Sequence, residues 1–380
     1  MNETAKPTMT KKRLGILSLL TLAAIFTATL WPLNPIPSND ITWKTVGNGI
    51  QFGAHGIVVS ARAFQGKNRP SGSASSMELW LRPENVSRVS TILSFSTIEN
   101  PRQFRLRQYF DGLLIQRDFA APENHVVTAE IDANSIFHPG QDIFLTITSG
   151  KTETRIYQNG KLLQTCPGYR ISAEDLEGDL VFGTSPFFQD SYEGDLHGLA
   201  FYAKELNEDE VRQHFQIWSQ AGKLEYTEAE RPIARYFFDE HQGTEIRNQV
   251  ISQSELIIPK HFVILHKEML RPPWKEFSAN REYLNDVLRN IAGFLPLGVV
   301  LSMYFSTARS QWRAIFLAVL VGGLTSLGIE IAQAYIPARG SGITDVITNT
   351  LGTWIGAVLP YSRIMKTVLR KLGIGGVRTE

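Results

Sequence analysis

The chain is short of cysteine, of net charge and of metal-ligand spacings. Cys166 is the single cysteine in 380 residues, so no intrachain disulfide framework can form. Lys plus Arg number 38 against 37 Asp plus Glu, a formal charge of +1. That balance argues against a general electrostatic binder of nucleic acid. His55, His138, His197, His214, His241, His261 and His266 are scattered without metal-ligand spacing, so neither a metal nor another cofactor is indicated. No G-x-S-x-G is present, and no nucleophile motif stands out.

What the chain has is a division of hydropathy: both ends are apolar and the middle is ordinary soluble sequence. Residues 1–13 are polar and end in Lys11-Lys12-Arg13. Leu14 to Trp31 is almost wholly apolar and about long enough to cross a bilayer. The run T-A-T-L-W-P-L offers no small-x-small cleavage site, and Trp31 suits a membrane interface. The expectation is an uncleaved signal anchor over 14–31 with residues 1–13 in the cytoplasm, followed by a Pro-rich linker, 32–40.

From Ile41 the chain reads as β, with short apolar or alternating runs between Gly, Asn and Pro. Examples are Met77–Leu81, Thr91–Phe95, Phe104–Tyr109, Leu113–Phe119, Ile143–Thr148, Thr154–Tyr157 and Leu180–Phe182. Asn159-Gly160 marks a two-residue hairpin. Leu206-Asn207 before Glu208, Asp209 and Glu210 predicts a helix capped by Asn207. Residues 227–259 are read as further strands completing the sandwich, with Asp239 and Glu240 as surface acids.

The runs G-N-G-I-Q-F (Gly47 to Phe52), M-E-L-W-L-R-P (Met77 to Pro83), T-I-L-S-F (Thr91 to Phe95), R-I-Y-Q-N-G-K-L (Arg155 to Leu162) and G-D-L-H-G-L-A-F-Y-A-K-E-L-N-E-D-E-V (Gly194 to Val211) carry a resemblance. The region resembles a concanavalin A/laminin G-like domain. The resemblance implies an all-β jelly-roll sandwich over 41–260, which the basic flanks of the apolar segments place outside the cytoplasm, and a glycan or an envelope protein as its partner. Phe187, Phe188 and Tyr192 are the candidates for stacking on a sugar, while Trp80 is read as core.

After a re-entry segment, 261–285, with Pro272-Pro273-Trp274 and Tyr283 as interface residues, three more apolar stretches follow. They are expected as helices over ~286–305, ~314–337 and ~345–361, a region 286–362 that with the first helix makes an all-α four-helix transmembrane bundle. Arg309, Arg313 and the basic tail 363–380 belong in the cytoplasm by the positive-inside rule. Both termini are then cytoplasmic, in an integral inner (cytoplasmic) membrane protein.

Polar residues gather at one end of these helices. Glu330 and Gln333 share a helical face, as do Asp345 and Asn349. Asp286, Arg289 and Asn290 lie at the expected start of the second span, and Arg339 in the link. Ionisable groups at bilayer depth are costly and often mark function. These eight residues are the candidate ligand site, with Pro296 opening space beside it. Gly322, Gly323, Gly328, Gly352 and Gly356 permit close helix approach.

E-I-A-Q (Glu330 to Gln333), P-A-R, D-V-I-T-N-T-L-G (Asp345 to Gly352) and N-I-A-G-F-L-P-L-G (Asn290 to Gly298) make residues ~275–362 resemble the VanZ-like family. Name-giving members are associated with glycopeptide resistance, which implies a cell-envelope role. A guanidinium and amides at the outer leaflet suit membrane lipids or a lipid-linked envelope precursor. Recognition without catalysis is the first expectation. A membrane enzyme with Glu330 and Asp345 as acid and base is the alternative, and a purely structural network the second.

Overall fold

A computed structural model describes residues 11–64, 74–100, 102–120, 126–221, 232–250, 254–363 and 365. The polar start of the chain, most of the basic tail and residues 227–231 lie outside the described residues. The chain divides into two compact units, residues 36–266, and residues 1–35 with 267–380. The helices are α1 (Lys11–Leu30), α2 (Glu208–Ala221), α3 (Pro273–Glu276), α4 (Arg281–Ser306), α5 (Gln311–Ala334) and α6 (Ile343–Val358).

Residues 36–266 form a sandwich of two antiparallel sheets. The strands of the first are β1 (Ile41–Trp43), β2 (Ile50–Phe52), β4 (Ser75–Pro83), β9 (Ile143–Ser149), β10 (Glu153–Gln158), β11 (Lys161–Pro167), β13 (Gly194–Tyr202) and β14 (Pro232–Tyr236). Their order is β1-β2-β13-β4-β9-β10-β11, with β14 also pairing β13. The second contains β3 (Val58–Ser60), β5 (Val89–Ser96), β6 (Phe104–Tyr109), β7 (Gly112–Ala120), β8 (Val126–Ala133), β12 (Asp179–Phe182), β15 (Glu245–Ile246) and β16 (Leu256–Ile257). Their order is β15-β16-β3-β12-β5-β6-β7-β8.

Period-two alternation drives this packing. Met77, Leu79 and Leu81 of β4, Leu93 and Phe95 of β5, and Phe104 and Leu106 of β6 are buried in one core between the sheets. Asn159 and Gly160, at φ 51° and 73°, close the β10–β11 hairpin as their sequence predicts. The strands from residues 232–257 complete both sheets, β14 against β13 and β16 against β3.

Helix α2 covers the outer face of the first sheet. Asn207 Oδ1 accepts from Glu210 N at 3.0 Å and Glu210 Oε2 accepts from Asn207 N at 2.8 Å, a reciprocal cap. Trp218 of α2 packs with Phe144, Tyr157 and Tyr202 in a second apolar cluster. It lies so close to Gly198 that a Cβ there would stand 1.6 Å from its ring. Beneath the helix, Glu78 accepts from Tyr202 Oη at 2.9 Å and bonds His214 Nδ1 at 3.0 Å.

In the other unit α1, α4, α5 and α6 pack around Ile25, Phe294, Leu297, Leu301, Ile315, Ala318, Ile329 and Ala357. Three of these helices, α1, α4 and α5, are long and apolar enough to cross a membrane. Helix α6 has 16 residues, about 24 Å of rise against a hydrocarbon core of roughly 30 Å. Large apolar side chains such as Leu19, Phe316, Leu324 and Ile347 point outward, the arrangement expected of helices solvated by lipid. Trp31, Trp274 and Tyr335 are exposed at one end of the helices, and Trp312 at the other, as interfacial aromatics are.

The helix starts differ from expectation. Helix α4 begins at Arg281, not near 286, because Asn280 Oδ1 accepts from Tyr283 N at 2.8 Å and fixes the first turn. Helix α5 ends at Ala334, not 337, and α6 starts at Ile343 and ends at Val358, before a 3-10 turn over Leu359–Tyr361. Helix α4 runs unbroken through Pro296.

Candidate functional site

The polar residues of the helical unit separate into three groups and one exposed pair where the sequence predicted a single network. The first group caps α6. Its N-cap is Gly342, which has no side chain to satisfy the free amides of the first turn. Glu330 of α5, 2% exposed, does so instead: its Oε2 accepts from Gly342 N at 2.8 Å. Glu276 Oε2 accepts from Thr344 N at 3.0 Å. A Cβ on Gly342 would stand 1.7 Å from Glu276 Oε1, so glycine is what lets that carboxylate approach. Both carboxylates sit at the positive end of the helix dipole. Asp345 adds a third acid to the same turn and accepts from Asn290 Nδ2 at 2.7 Å. Glu276 was missed by sequence reasoning. Its signal was Pro272-Pro273, with Pro273 opening the short helix α3 that presents it.

The second group ties α1 to the C-terminal end of α5. Gln333 Nε2 donates to the Thr29 carbonyl at 2.9 Å, and the Arg339 guanidinium donates to the Trp31 carbonyl. Neither joins the Glu330–Asp345 cluster. Lys267, also missed, donates from Nζ to the carbonyls of Gln333, at 2.9 Å, and Ile336. Both carbonyls lie at or just past the C-terminal end of α5, where each also accepts from one backbone amide, Ile336 N at 3.0 Å and Arg339 N at 2.9 Å. Burial lowers the Lys267 pKa to about 8.

Asp286 and Arg289 pair with each other at 3.4 Å, with side chains 66% and 78% exposed. Their expected place in the network is thereby corrected. With α4 starting at Arg281, its first turns are exposed or half-buried on every side, and no neighbouring helix brings a partner to them.

The third group lines a cleft. Asn290 and Asn349 stand on the wall of a cavity of about 570 Å³ with Arg289, Gly293 and Phe294 of α4 and Leu20, Ala24, Ile25 and Ala28 of α1. Thr21 and Thr29 also line it, but their hydroxyls bond back to Leu17 O and Ile25 O at 2.8 Å. The α1 wall is therefore effectively apolar. Asn349 is 4% exposed, and its Nδ2 donates to Ser326 Oγ at 3.0 Å. Its buried Oδ1 has no hydrogen-bond partner. A half-satisfied amide in an apolar wall costs roughly 1–3 kcal/mol. The cleft is thus an apolar trough with Asn290 and the nearly buried Asn349 on its wall.

Two of the expected close-approach glycines hold α6 against α4: a Cβ on Gly352 would stand 2.3 Å from Ile291 O, and on Gly356 2.1 Å from Leu295 O. Gly298 on α4, part of the N-I-A-G-F-L-P-L-G run but not among the glycines expected to permit close approach, comes up to Thr353 O in the same way. Gly328 faces nothing within 4 Å, so its expected packing role is not seen.

In the β unit the three aromatic candidates part company. Tyr192 is 2% exposed and packs edge-on against Phe52 at 6.1 Å. It belongs to the core, because its loop turns inward to start β13, and its stacking role is corrected. Phe187 is half-buried, with the Arg102 guanidinium 5.6 Å from its ring centre and His266 at 5.8 Å. Phe188 is 43% exposed. Trp80 packs against Trp218 at 6.2 Å, as core.

Among the described residues no group of three or more His, Cys, Asp or Glu is placed to hold a metal ion. Asp239 and Glu240 make no such group, and Glu240 instead accepts from Arg247 N at 2.8 Å.

Residues 233–366 match the family described as VanZ/LLP1, and residues 58–212 match the concanavalin A-like lectin/glucanases superfamily. The first match starts inside β14, upstream of the stretch 275–362 that the sequence motifs cover. Solved structures similar to the chain include the botulinum neurotoxin serotype D ligand binding domain in complex with N-acetylneuraminic acid, at 14% identity, TM-score 0.33, over 48% of this chain and 45% of that one. The botulinum neurotoxin type G receptor binding domain is similar at 16% identity, TM-score 0.34, over 50% and 47%. The chain spans less than half the length of each. Among curated proteins none matches the chain.

Proposed function

The chain joins a lectin-like, concanavalin A-like domain to a VanZ-like domain, and from that premise we propose a cell-envelope recognition protein of the membrane. Its helical unit holds an amphiphile taken from the bilayer, and its β unit recognises a glycan. The observation that carries the first half is the cleft between α1 and α4, about 570 Å³ with an apolar wall and an Asn349 whose Oδ1 has no partner. Its volume is in the range of small-molecule sites. An acyl chain suits the trough, and a head group with a hydrogen-bond donor suits Asn349. A membrane lipid and a lipid-linked envelope precursor share that chemistry.

Binding is favoured over catalysis by what the acids do. Glu330 caps α6 and Asp345 is bonded to Asn290, so the acid/base pair of the alternative reading already has structural partners. The orientation proposed places residues 1–10 and the basic tail in the cytoplasm and the β unit outside, with α6 as a short fourth span.

Native mass spectrometry of detergent-purified protein, with lipid identification, tests the reading against Gly293→Leu. Gly293 lines the cleft and a Cβ there meets nothing within 4 Å, so the leucine side chain starts in open space and narrows the trough. A lipid retained by the wild type and lost from the variant is the expected result. Equal retention by both would remove the cleft from the account.

A further inference from the structure

The cleft between α1 and α4 has a direction. The two helices run antiparallel: a Cβ on Gly15, early in α1, would stand 3.4 Å from the ring of Tyr304, late in α4. Counting away from that contact along both helices, Thr29 and Arg289 come to nearly the same level. They mark one end of the cleft, and Leu20 and Pro296 the other.

Arg289 is the one charged residue among those lining the cleft. About 26 Å of helix separates it from Ser306, the last residue of α4. That nearly spans a hydrocarbon core of roughly 30 Å. The guanidinium therefore falls near the hydrocarbon boundary, at the end of the bundle that exposes Trp31 and Trp274. A phospholipid whose acyl chain fills the trough carries its phosphate at this level.

Among the described residues Arg289 has one partner, Asp286, which accepts from its Nη1 at 3.4 Å. A guanidinium has five N–H donors, so that single long contact leaves most of the fork for a phosphate. Asp286 lies one turn nearer the start of α4, about 4.5 Å farther out from the trough. Both side chains are exposed, so a ligand reaches them without opening the fold. From the trough outward the order is apolar, cationic, anionic. A phosphoethanolamine lipid has the complementary order: acyl chain, phosphate, then an ammonium on a short two-carbon arm. A phosphoglycerol lipid would satisfy Arg289 but leave Asp286 beside a phosphate with no cation. A choline head group has no N–H to donate to the carboxylate.

We propose that the cleft selects a phospholipid with a primary ammonium head group, its phosphate held by Arg289 and its ammonium by Asp286. The proposal rests on the amphiphile-binding reading given above and names the head group. It gives the exposed pair, which stands apart from the Glu330–Asp345 cluster, a shared task.

The test presents the full chain in detergent with an equimolar mixture of phosphatidylethanolamine, phosphatidylglycerol and phosphatidylcholine bearing identical acyl chains, and counts retained lipid by native mass spectrometry. The wild type should retain the ethanolamine lipid about threefold over either of the others, the scale of an exposed charge pair. Asp286→Asn should abolish that preference, and Arg289→Gln should lower retention of all three, since each carries a phosphate. Thermal unfolding should be unchanged in both variants, whose side chains are exposed. Gly293→Leu should lower all three by narrowing the trough. Equal retention of the three lipids by the wild type, or an ethanolamine preference that survives Asp286→Asn, would overturn the head-group assignment and leave the cleft standing. Unchanged retention in Arg289→Gln would overturn the phosphate contact. Retention untouched by Gly293→Leu, or no retention by the wild type, would remove the amphiphile reading and this proposal together.

Discussion

Replacing Gly352 and Gly356 by alanine tests the packing on which the cleft depends. A Cβ at these positions would stand 2.3 Å from Ile291 O and 2.1 Å from Leu295 O. A carbon–oxygen contact is comfortable at about 3.3 Å, so α4 and α6 would have to part by roughly 1 Å. Overpacking of this kind costs about 1–3 kcal/mol, offset by up to ~1 kcal/mol of alanine's better helix propensity. The two positions share one interface, so their effects should not add. Gly328 supplies the control: a Cβ there meets nothing within 4 Å, and Gly328→Ala should be neutral or stabilising by up to ~1 kcal/mol. The assay is thermal loss of helical circular dichroism in detergent, with the β unit followed separately because two units need not unfold together. A lowered midpoint for Gly352→Ala and Gly356→Ala beside an unchanged or raised one for Gly328→Ala is the expected pattern. Indistinguishable midpoints for all three would refute the close α4–α6 crossing.

Other consequences follow from single contacts. Glu330→Leu removes the acceptor for Gly342 N and should cost roughly 1–3 kcal/mol of helical-unit stability, while Glu330→Gln keeps an acceptor and should cost less; equal losses in chemical denaturation would count against the capping role. Asn207→Ala breaks the reciprocal cap of α2 and should cost about 1 kcal/mol, read from the unfolding of the β unit. Because burial lowers Lys267 to about 8 from an ordinary 10.5, the unfolded chain binds more protons than the folded one between those values. Stability of the helical unit should therefore rise with pH across that window, and Lys267→Met should flatten the profile; a fall with pH in the wild type would reverse the assignment. Reporter fusions should place the β unit outside the cytoplasm and residue 380 inside, and a β unit accessible from the cytoplasm would overturn the orientation.

The β unit was legible in the sequence because its strands alternate against a single core. Met77, Leu79 and Leu81 announce β4, and Asn159-Gly160 announces a hairpin whose two positive φ angles admit few other residues. What covers a sheet from outside was not legible. Glu78 alternates outward as a surface residue would, and only α2 folding back on it makes it interior; Trp80, read as core, packs under the same helix. Tyr192 follows a loop, where no periodicity says which way a ring points. In the helical unit, hydropathy located the apolar cores of the helices but not their starts. The first turns of α4 are polar and owe their helix to the Asn280 cap. Their common end of the helices put Asn290 and Asp345 in one expected network, and they do bond, yet same-face spacing cannot say which neighbour a side chain meets. Gln333 and Arg339 reach α1 and its end, Glu330 reaches an amide of the link, and Glu276 enters from a segment read only as interfacial.

The central claim is that an amphiphile occupies the cleft between α1 and α4. A photoreactive phospholipid with its diazirine on the acyl chain, activated in membranes containing the protein, tests this most directly when the labelled residues are mapped by peptide mass spectrometry. The account predicts labels concentrated on Leu20, Ala24 and Gly293, residues that line the cleft, and their loss in Gly293→Leu. Labels spread evenly over outward residues such as Phe316, Leu324 and Ile347, unchanged by the substitution, would contradict it.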